Sequence, residues 1–330
     1  MNEILNEQEI MATYKMPEAL QDVAHILKAN FAGKVDNPLR TVIEYPEEHA
    51  SVLYMPCADL ENELMSMKAV TIFPNNPSKG KNTTQGVILL SDATNGDHLA
   101  LLNASYLTRL RTGALSGLAT AYLSREDSQV LTVIGTGKMA FEQVLGVLEV
   151  RDIKTIYLVN PTQANAERFK TDLQNYPVSG EIDIVIEPDV AAAVKKADII
   201  NCATRSKTPV FKGQDIQPGT HVNGVGSYLP DMCEVDFEFI SRTAQIIVDD
   251  LHGATEEAGE FIQAVEKNQW SFDKIDGELK SLVAGAITGR KDPEAITFFK
   301  SVGSAYFDLA VAQGVYRQAL KSNIGINVEV

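Results

Sequence analysis

Between residues 17 and 31 the chain reads PEALQDVAHILKANF, apolar side chains at helical spacing behind a proline, and the pattern predicts one amphipathic helix. The period then shortens. TVIEYP (41–46), SVLYMP (51–56) and MKAVTIFP (67–74) are short β-rich runs closed by proline, and GVILLSDATNGDHLALLN (86–103) predicts two strands around an Asn95-Gly96 turn. Residues 105–123 return to a helical pattern that carries Arg109 and Arg111 in its first half. Its small residues (Gly113, Ala114, Ser116, Gly117, Ala119) permit close backbone packing, as expected of a helix that bridges two domains.

From residue 129 the rhythm is strand, helix, strand: QVLTVIG, KMAFEQVLGVLEV, KTIYLVN, TQANAERFKTDL, DIVIEP, DVAAAVKKA, DIINCAT. This alternation predicts an α/β fold with a right-handed, doubly wound parallel sheet of Rossmann type, preceded by an α+β unit with antiparallel strands. THVNGVG and AQIIVDD extend the strand count. FFKSVGSAYFDLAVAQGVYRQAL is expected to be one long apolar helix closing the chain. Internal repeats and low-complexity tracts are absent.

Composition narrows the function. With 330 residues, 45% of them hydrophobic, the chain can bury two cores, and a formal net charge of −15 argues against a nucleic acid or an anionic membrane as partner. An anion must therefore be held locally. Cys57, Cys202 and Cys233 are odd in number and widely spaced, and the five histidines lack ligand spacing, so neither a disulfide framework nor a metal site is expected. The polar, acidic opening residues lack the apolar core of an export signal, and no long apolar window suggests a membrane span. Both features fit a cytoplasmic protein.

The local anion site is legible in LTVIGTGKMA (131–140). Gly135 permits a tight turn, Gly137 lets a pyrophosphate approach the backbone, and Ala140 takes the third position of G-x-G-x-x-A, while Lys138 and Met139 open the following helix with its unpaired N–H groups. The turn follows a strand and opens a helix inside a βαβ unit, which is the context a dinucleotide, NAD or NADP, requires. At the end of the second strand, where NAD sites carry an acid for the ribose, stand Asn160 and Thr162. Neither repels a 2′-phosphate, and the reading tilts toward NADP. Thr204 and Arg205 follow another strand end, where ligands of parallel sheets bind, although loops are often polar for no such reason.

Nine stretches together carry a resemblance: PLRTV (38–42), MKAV (67–70), LLSDATNG (89–96), RLRTGALSGLA (109–119), VIGTGKMA, LVNPTQANAERF (158–169), CATRSKTPVF (202–211), VNGVGSYLPDMCEVD (222–236) and FFKSVGSAYFDLA (298–310). In their order and spacing the chain resembles the ornithine cyclodeaminase/mu-crystallin family over nearly its whole length. The resemblance implies a substrate-binding and dimerisation domain (1–118 and 304–330) interrupted by a Rossmann domain (119–303), which explains why the glycine turn comes late. It also implies a homodimer.

The family's activities imply a small amino or imino acid as substrate. An arginine holds a carboxylate best, through two parallel charge-assisted hydrogen bonds, and Arg111 matches the arginine of the family's R-T-A-A motif. Lys68 and Arg40 match further carboxylate-binding positions. Thr84 and Gln85 match positions near the nicotinamide and substrate, and Val225 and Ser301 positions lining the nicotinamide pocket. Without the resemblance, Lys68 reads more readily as a solvent-facing strand residue, and the alternative for Arg111 is a solvated helix residue.

Two departures bear on the reaction. Ornithine cyclodeaminases carry an aspartate where this chain has Tyr228, a poor base at neutral pH; Asp231 is the nearest acid, three residues displaced. Asn103 stands where many relatives have Asp. The resulting expectation is an NAD(P)-dependent oxidoreductase reducing a cyclic imino acid of 1-pyrroline-2-carboxylate type to the L-amino acid. The alternatives are ornithine cyclodeaminase, alanine dehydrogenase, and a non-catalytic, NADPH-binding crystallin-like protein.

Overall fold

The computed structural model describes residues 2–178 and 180–328. The chain divides into two compact units, residues 1–111 with 304–330, and residues 112–303. The first division falls between Arg111 and Thr112, inside the helix over 104–123.

In the first unit, strands β1 (Asn2–Leu5), β2 (Val35–Asp36), β3 (Thr41–Tyr45), β4 (Ala50–Asp59), β5 (Leu64–Ile72), β6 (Thr84–Asp92) and β7 (His98–Asn103) join the last strand, β16 (Ile326–Val328), in the order β16-β1-β7-β6-β5-β4-β2, with β3 on β4. Among the described residues of this sheet, β1 and β7 pair in parallel and the other pairings are antiparallel. Helices α1 (Glu7–Thr13), α2 (Met16–Phe31) and the beginning of α3 (Ala104–Leu123) accompany the sheet. The closing helix α11 (Ala305–Ser322) packs on α2 and on β4, β5 and β6.

Strand alternation sends one cross-strand row inward beneath this helix layer: Leu5, Leu102, Ile88, Lys68 and Met55 are register partners, and all are buried. The predicted turn is present, with Gly96 at φ 86°. β1 and α1 are additions to the sequence reading, which took the opening residues only as polar. Asn6 caps α1 through a capping box with Glu9.

The second unit alternates β8 (Val130–Ile134), α4 (Lys138–Leu148), β9 (Thr155–Val159), α5 (Gln163–Gln174), β10 (Asp183–Ile186), α6 (Val190–Lys196), β11 (Ile199–Cys202) and β12 (His221–Gly224). It continues through α7 (Phe237–Arg242), β13 (Gln245–Val248), α8 (Leu251–Glu257), α9 (Gly259–Glu266), β14 (Gly277–Glu278), α10 (Leu279–Val283) and β15 (Thr297–Lys300). The order β10-β9-β8-β11-β12-β15-β13-β14 is parallel at every pairing and reverses direction at β8/β11. The small residues of α3 act as expected here: Gly146 of α4 backs onto the Gly113 carbonyl, leaving no room for a Cβ.

The closing segment is a correction. Residues 298–320 are not one helix; Thr297–Lys300 form β15, and α11 begins only at Ala305. Gly303, at φ 88°, turns the chain between them, and Ser304 stands at the helix N-cap.

Candidate active site

Lys68 lies mid-strand in β5 with its side chain on the inward face. Placing an ammonium between Met55 and Ile88 strips it of water, which is tolerable only with a charged partner. The partner is Asp308, on the first turns of α11: its Oδ2 accepts from Lys68 Nζ at 2.5 Å, and the two residues are 3% and 1% exposed. Burial pushes the Lys68 pKa down to about 8, against the pull of Asp308 and with a further push from the Arg111 and Arg40 charges.

Arg111 ends the first unit's share of α3 and is 6% exposed. Its Nε forms an ion pair with Asp308 Oδ1 at 3.4 Å that is not a hydrogen bond, and neither atom has a hydrogen-bond partner among the described residues. Among the described residues the Arg111 guanidinium forms no hydrogen bond. A buried arginine in that state has its donor fork available for an anion from outside the chain.

Arg40 is half-buried, three residues after Asn37, whose Nδ2 donates to Ser304 Oγ at 2.8 Å and so ties this loop to the N-terminus of α11. The first unit thus brings Lys68, Arg111 and Arg40 within electrostatic reach of one another. Thr84 and Gln85 are exposed at the start of β6, paired with Ile72 and Thr71. Asn103 has a plain local role: its Oδ1 accepts from Ser105 N at 2.9 Å and caps α3, a task that Asp performs equally well.

In the second unit the glycine turn ends β8 beside the strand-order reversal. Gly135 sits at φ 89° against Ala203, where a Cβ would fall 2.8 Å from the carbonyl oxygen. Gly137 caps α4, and a Cβ there would meet nothing within 4 Å. The turn is therefore closed on the protein side and open on the other, as a pyrophosphate cradle must be, with Lys138 exposed and Met139 half-buried at the start of α4. Asn160 Nδ2 donates to Thr136 Oγ1 at 2.8 Å, and its Oδ1 accepts from Thr162 N at 2.8 Å. That fastens the end of β9 to the glycine turn.

Val225 is buried directly after β12. Ser301 donates to Asp249 Oδ2 at 2.6 Å, and Thr204 donates through both its amide and its hydroxyl to Glu234, at 2.6 and 2.8 Å. The hydroxyl hydrogens of Thr204 and Ser301 are thus directed into the protein. Arg205 is exposed and Tyr228 half-buried; Asp231 forms a surface ion pair with Lys207 at 2.6 Å. Sequence reasoning missed Asp308, Glu234 and Asp249. A signal was available: each is an acid set in an apolar run (YFDLA, MCEVD, IIVDD), where burial demands a partner.

A parallel sheet that reverses order beside a glycine turn defines a protein of the Rossmann dinucleotide-binding class. The chain belongs to the ornithine cyclodeaminase/mu-crystallin family, whose model matches residues 1–323. It is 36% identical to a Delta(1)-pyrroline-2-carboxylate reductase of Bacillus cereus over 324 residues, 98% of either chain. Among solved structures it superposes on the Thermococcus litoralis Delta(1)-pyrroline-2-carboxylate reductase in complex with NADH and L-proline with a TM-score of 0.92 at 34% identity, covering 99% of this chain and 100% of that one. An archaeal alanine dehydrogenase dimer with bound NAD gives the same TM-score at 31% identity, covering 99% of each chain.

Proposed function

We propose that the protein is an NAD(P)-dependent oxidoreductase reducing a cyclic imino acid of the 1-pyrroline-2-carboxylate type to the L-amino acid, with L-proline the parent product. The observation that carries this reading is Arg111, buried and without a hydrogen bond among the described residues, beside a buried lysine. The named activities of the relatives supply the substrate class.

Gly135, Gly137 and the first amides of α4 would hold the nucleotide's pyrophosphate, with Asn160 and Thr162 toward its ribose, and Thr204, Val225 and Ser301 toward the other end. The nicotinamide, when bound, supplies the hydride. The chain's own residues do the rest. Arg111 offers its fork to the substrate carboxylate, Arg40 and Lys68 add positive charge, and that fixed carboxylate sets the ring's orientation. Lys68, with a pKa near 8, holds a proton it can release at neutral pH to the imine nitrogen.

The end of β9 bears no acid, which leaves NADP open, whereas the two solved relatives carry NADH and NAD. Alanine dehydrogenase is the second reading, favoured by the 0.92 superposition. The deciding assay follows the absorbance of NADH and NADPH in parallel with 1-pyrroline-2-carboxylate, then with pyruvate and ammonia. Oxidation with the cyclic imine, lost in Arg111→Met through a rise in KM of about 10- to 100-fold, supports the proposal. No oxidation with either nucleotide, together with ammonia release from L-ornithine, overturns it in favour of the cyclodeaminase.

The same reading includes a homodimer in the cytoplasm. Ile4, Leu101, Met67, Val87 and Tyr54 share the outer face of the first sheet and are all exposed, and β3 adds Ile43 and Tyr45. An apolar face of this kind suits a second copy of the chain, and one solved relative is a dimer. Three free, buried cysteines suit a reducing compartment. Among the described residues no helix is long and apolar enough to cross a membrane.

A further inference from the structure

Cys202, Gly224 and Lys300 end β11, β12 and β15, three adjacent strands of the second sheet, so the loops that follow leave its carboxyl edge side by side. Glu234, itself in the loop after β12, is fully buried. Its Oε1 accepts from Thr204 N and Oγ1 at 2.6 and 2.8 Å, and its Oε2 from Gly226 N and Ser227 N at 2.7 and 3.3 Å. All of its acceptor capacity is turned toward these two loops. Gly226 is pressed so closely on the Thr204 backbone that no Cβ would fit.

The third loop is tied in beside them. Lys300 Nζ donates to the Ser227 carbonyl and pairs with Glu260 Oε1 at 3.1 Å, while Ser227 Oγ donates to Glu260 Oε2 at 2.5 Å. Asp249 takes Ser301 Oγ at 2.6 Å and Gly303 N at 2.7 Å. The glycine turn ends β8, and the adenosine half of a Rossmann dinucleotide extends over the β9 side of the reversal. The loops after β11 and β12 therefore lie on the other half, where the second nucleotide goes.

We propose that Glu234 is a positioning residue: touching neither cofactor nor substrate, it locks the loops after β11 and β12 into the shape that receives the nicotinamide half of the dinucleotide. The inference rests on the dinucleotide reading above. Glu234→Gln keeps the size and one acceptor oxygen but offers an NH₂ to one pair of donors, so one loop loses its anchor while the buried volume stays filled.

The test compares NADH with ADP-ribose, which lacks the nicotinamide, by calorimetric titration of the full chain. In Glu234→Gln the affinity for NADH falls about tenfold, while ADP-ribose binding stays within about twofold. Equal weakening of both ligands, or of neither, overturns the proposal, because a general loss of fold would not separate the two halves. If the unsubstituted protein binds neither ligand, the dinucleotide reading fails and this inference with it. Should Glu234→Gln not fold, Thr204→Val removes one of the four donors and gives the same contrast, with Thr204→Ser restoring NADH binding; failure of Ser to restore it counts against a role exerted through Glu234.

Discussion

Lys68 and Asp308 lie 240 positions apart in the chain and meet at 2.5 Å with both side chains out of water. Their pairing would let the proposed carboxylate site form inside an apolar layer: the Asp308 carboxylate offsets part of the charge on Lys68 and Arg111. Removing it leaves two buried cations uncompensated. Asp308→Asn is expected to lose about 3 kcal/mol or more of stability in urea denaturation. An unchanged midpoint would mean that the pair contributes nothing to folding.

The pH dependence of substrate binding follows from the same pair. Lys68 is charged below about 8 and neutral above it, so affinity for a carboxylate analogue without a titrating nitrogen is expected to fall as pH rises through that value. Because Asp308 raises the Lys68 pKa, Asp308→Asn shifts this limb to lower pH. A limb that stays in place in that variant would separate the titration from Lys68.

His221 provides an independent pH signal in the second unit. Its ring is buried between Thr297 Oγ1 and Asn223 Oδ1, and burial, helped by the Arg290 charge, pushes its pKa down to about 3. The unfolded chain binds this proton below 6.5 and the folded one does not until about 3, so stability falls as pH falls through that window. The slope contributed is up to about 1.4 kcal/mol per pH unit. Comparing stability against pH in the parent and in His221→Gln checks it; identical slopes would exclude the histidine.

The two glycines of the turn are predicted to fail differently. Gly135→Ala forces a Cβ into the left-handed region against Ala203 and costs about 2 kcal/mol of stability. Gly137→Val has room on the protein side, so the melting temperature should hold while NADH binding is lost. Thermal melts and NADH titrations of the pair distinguish strain from obstruction.

Val87→Glu, on the exposed apolar face of the first sheet, is expected to yield a monomer in sedimentation experiments with the secondary structure retained. A sedimentation profile unchanged by this substitution would move the subunit contact elsewhere.

The sequence by itself determined the parts of this protein that depend on neighbours in the chain. The strand, glycine turn and helix of VIGTGKMA, the βαβ alternation from residue 129 and the amphipathic helix before residue 31 are set by local sterics and by 2.0 or 3.6 residue periods, which a linear pattern records. The family resemblance named Lys68, Arg111 and Arg40. Even within that range, the period of FFKSVGSAYFDLA misled, because a buried strand and a buried helix are alike in being apolar, and the short turn at Gly303 that separates them leaves no mark in the period. Tertiary structure alone decided the inward face of Lys68, its partner Asp308, the empty donor fork of Arg111, and the carboxylate of Glu234 joining two loops. These depend on strand register and on contacts across tens to hundreds of residues, where the energy of burying a charge selects the partner and no local period records the choice.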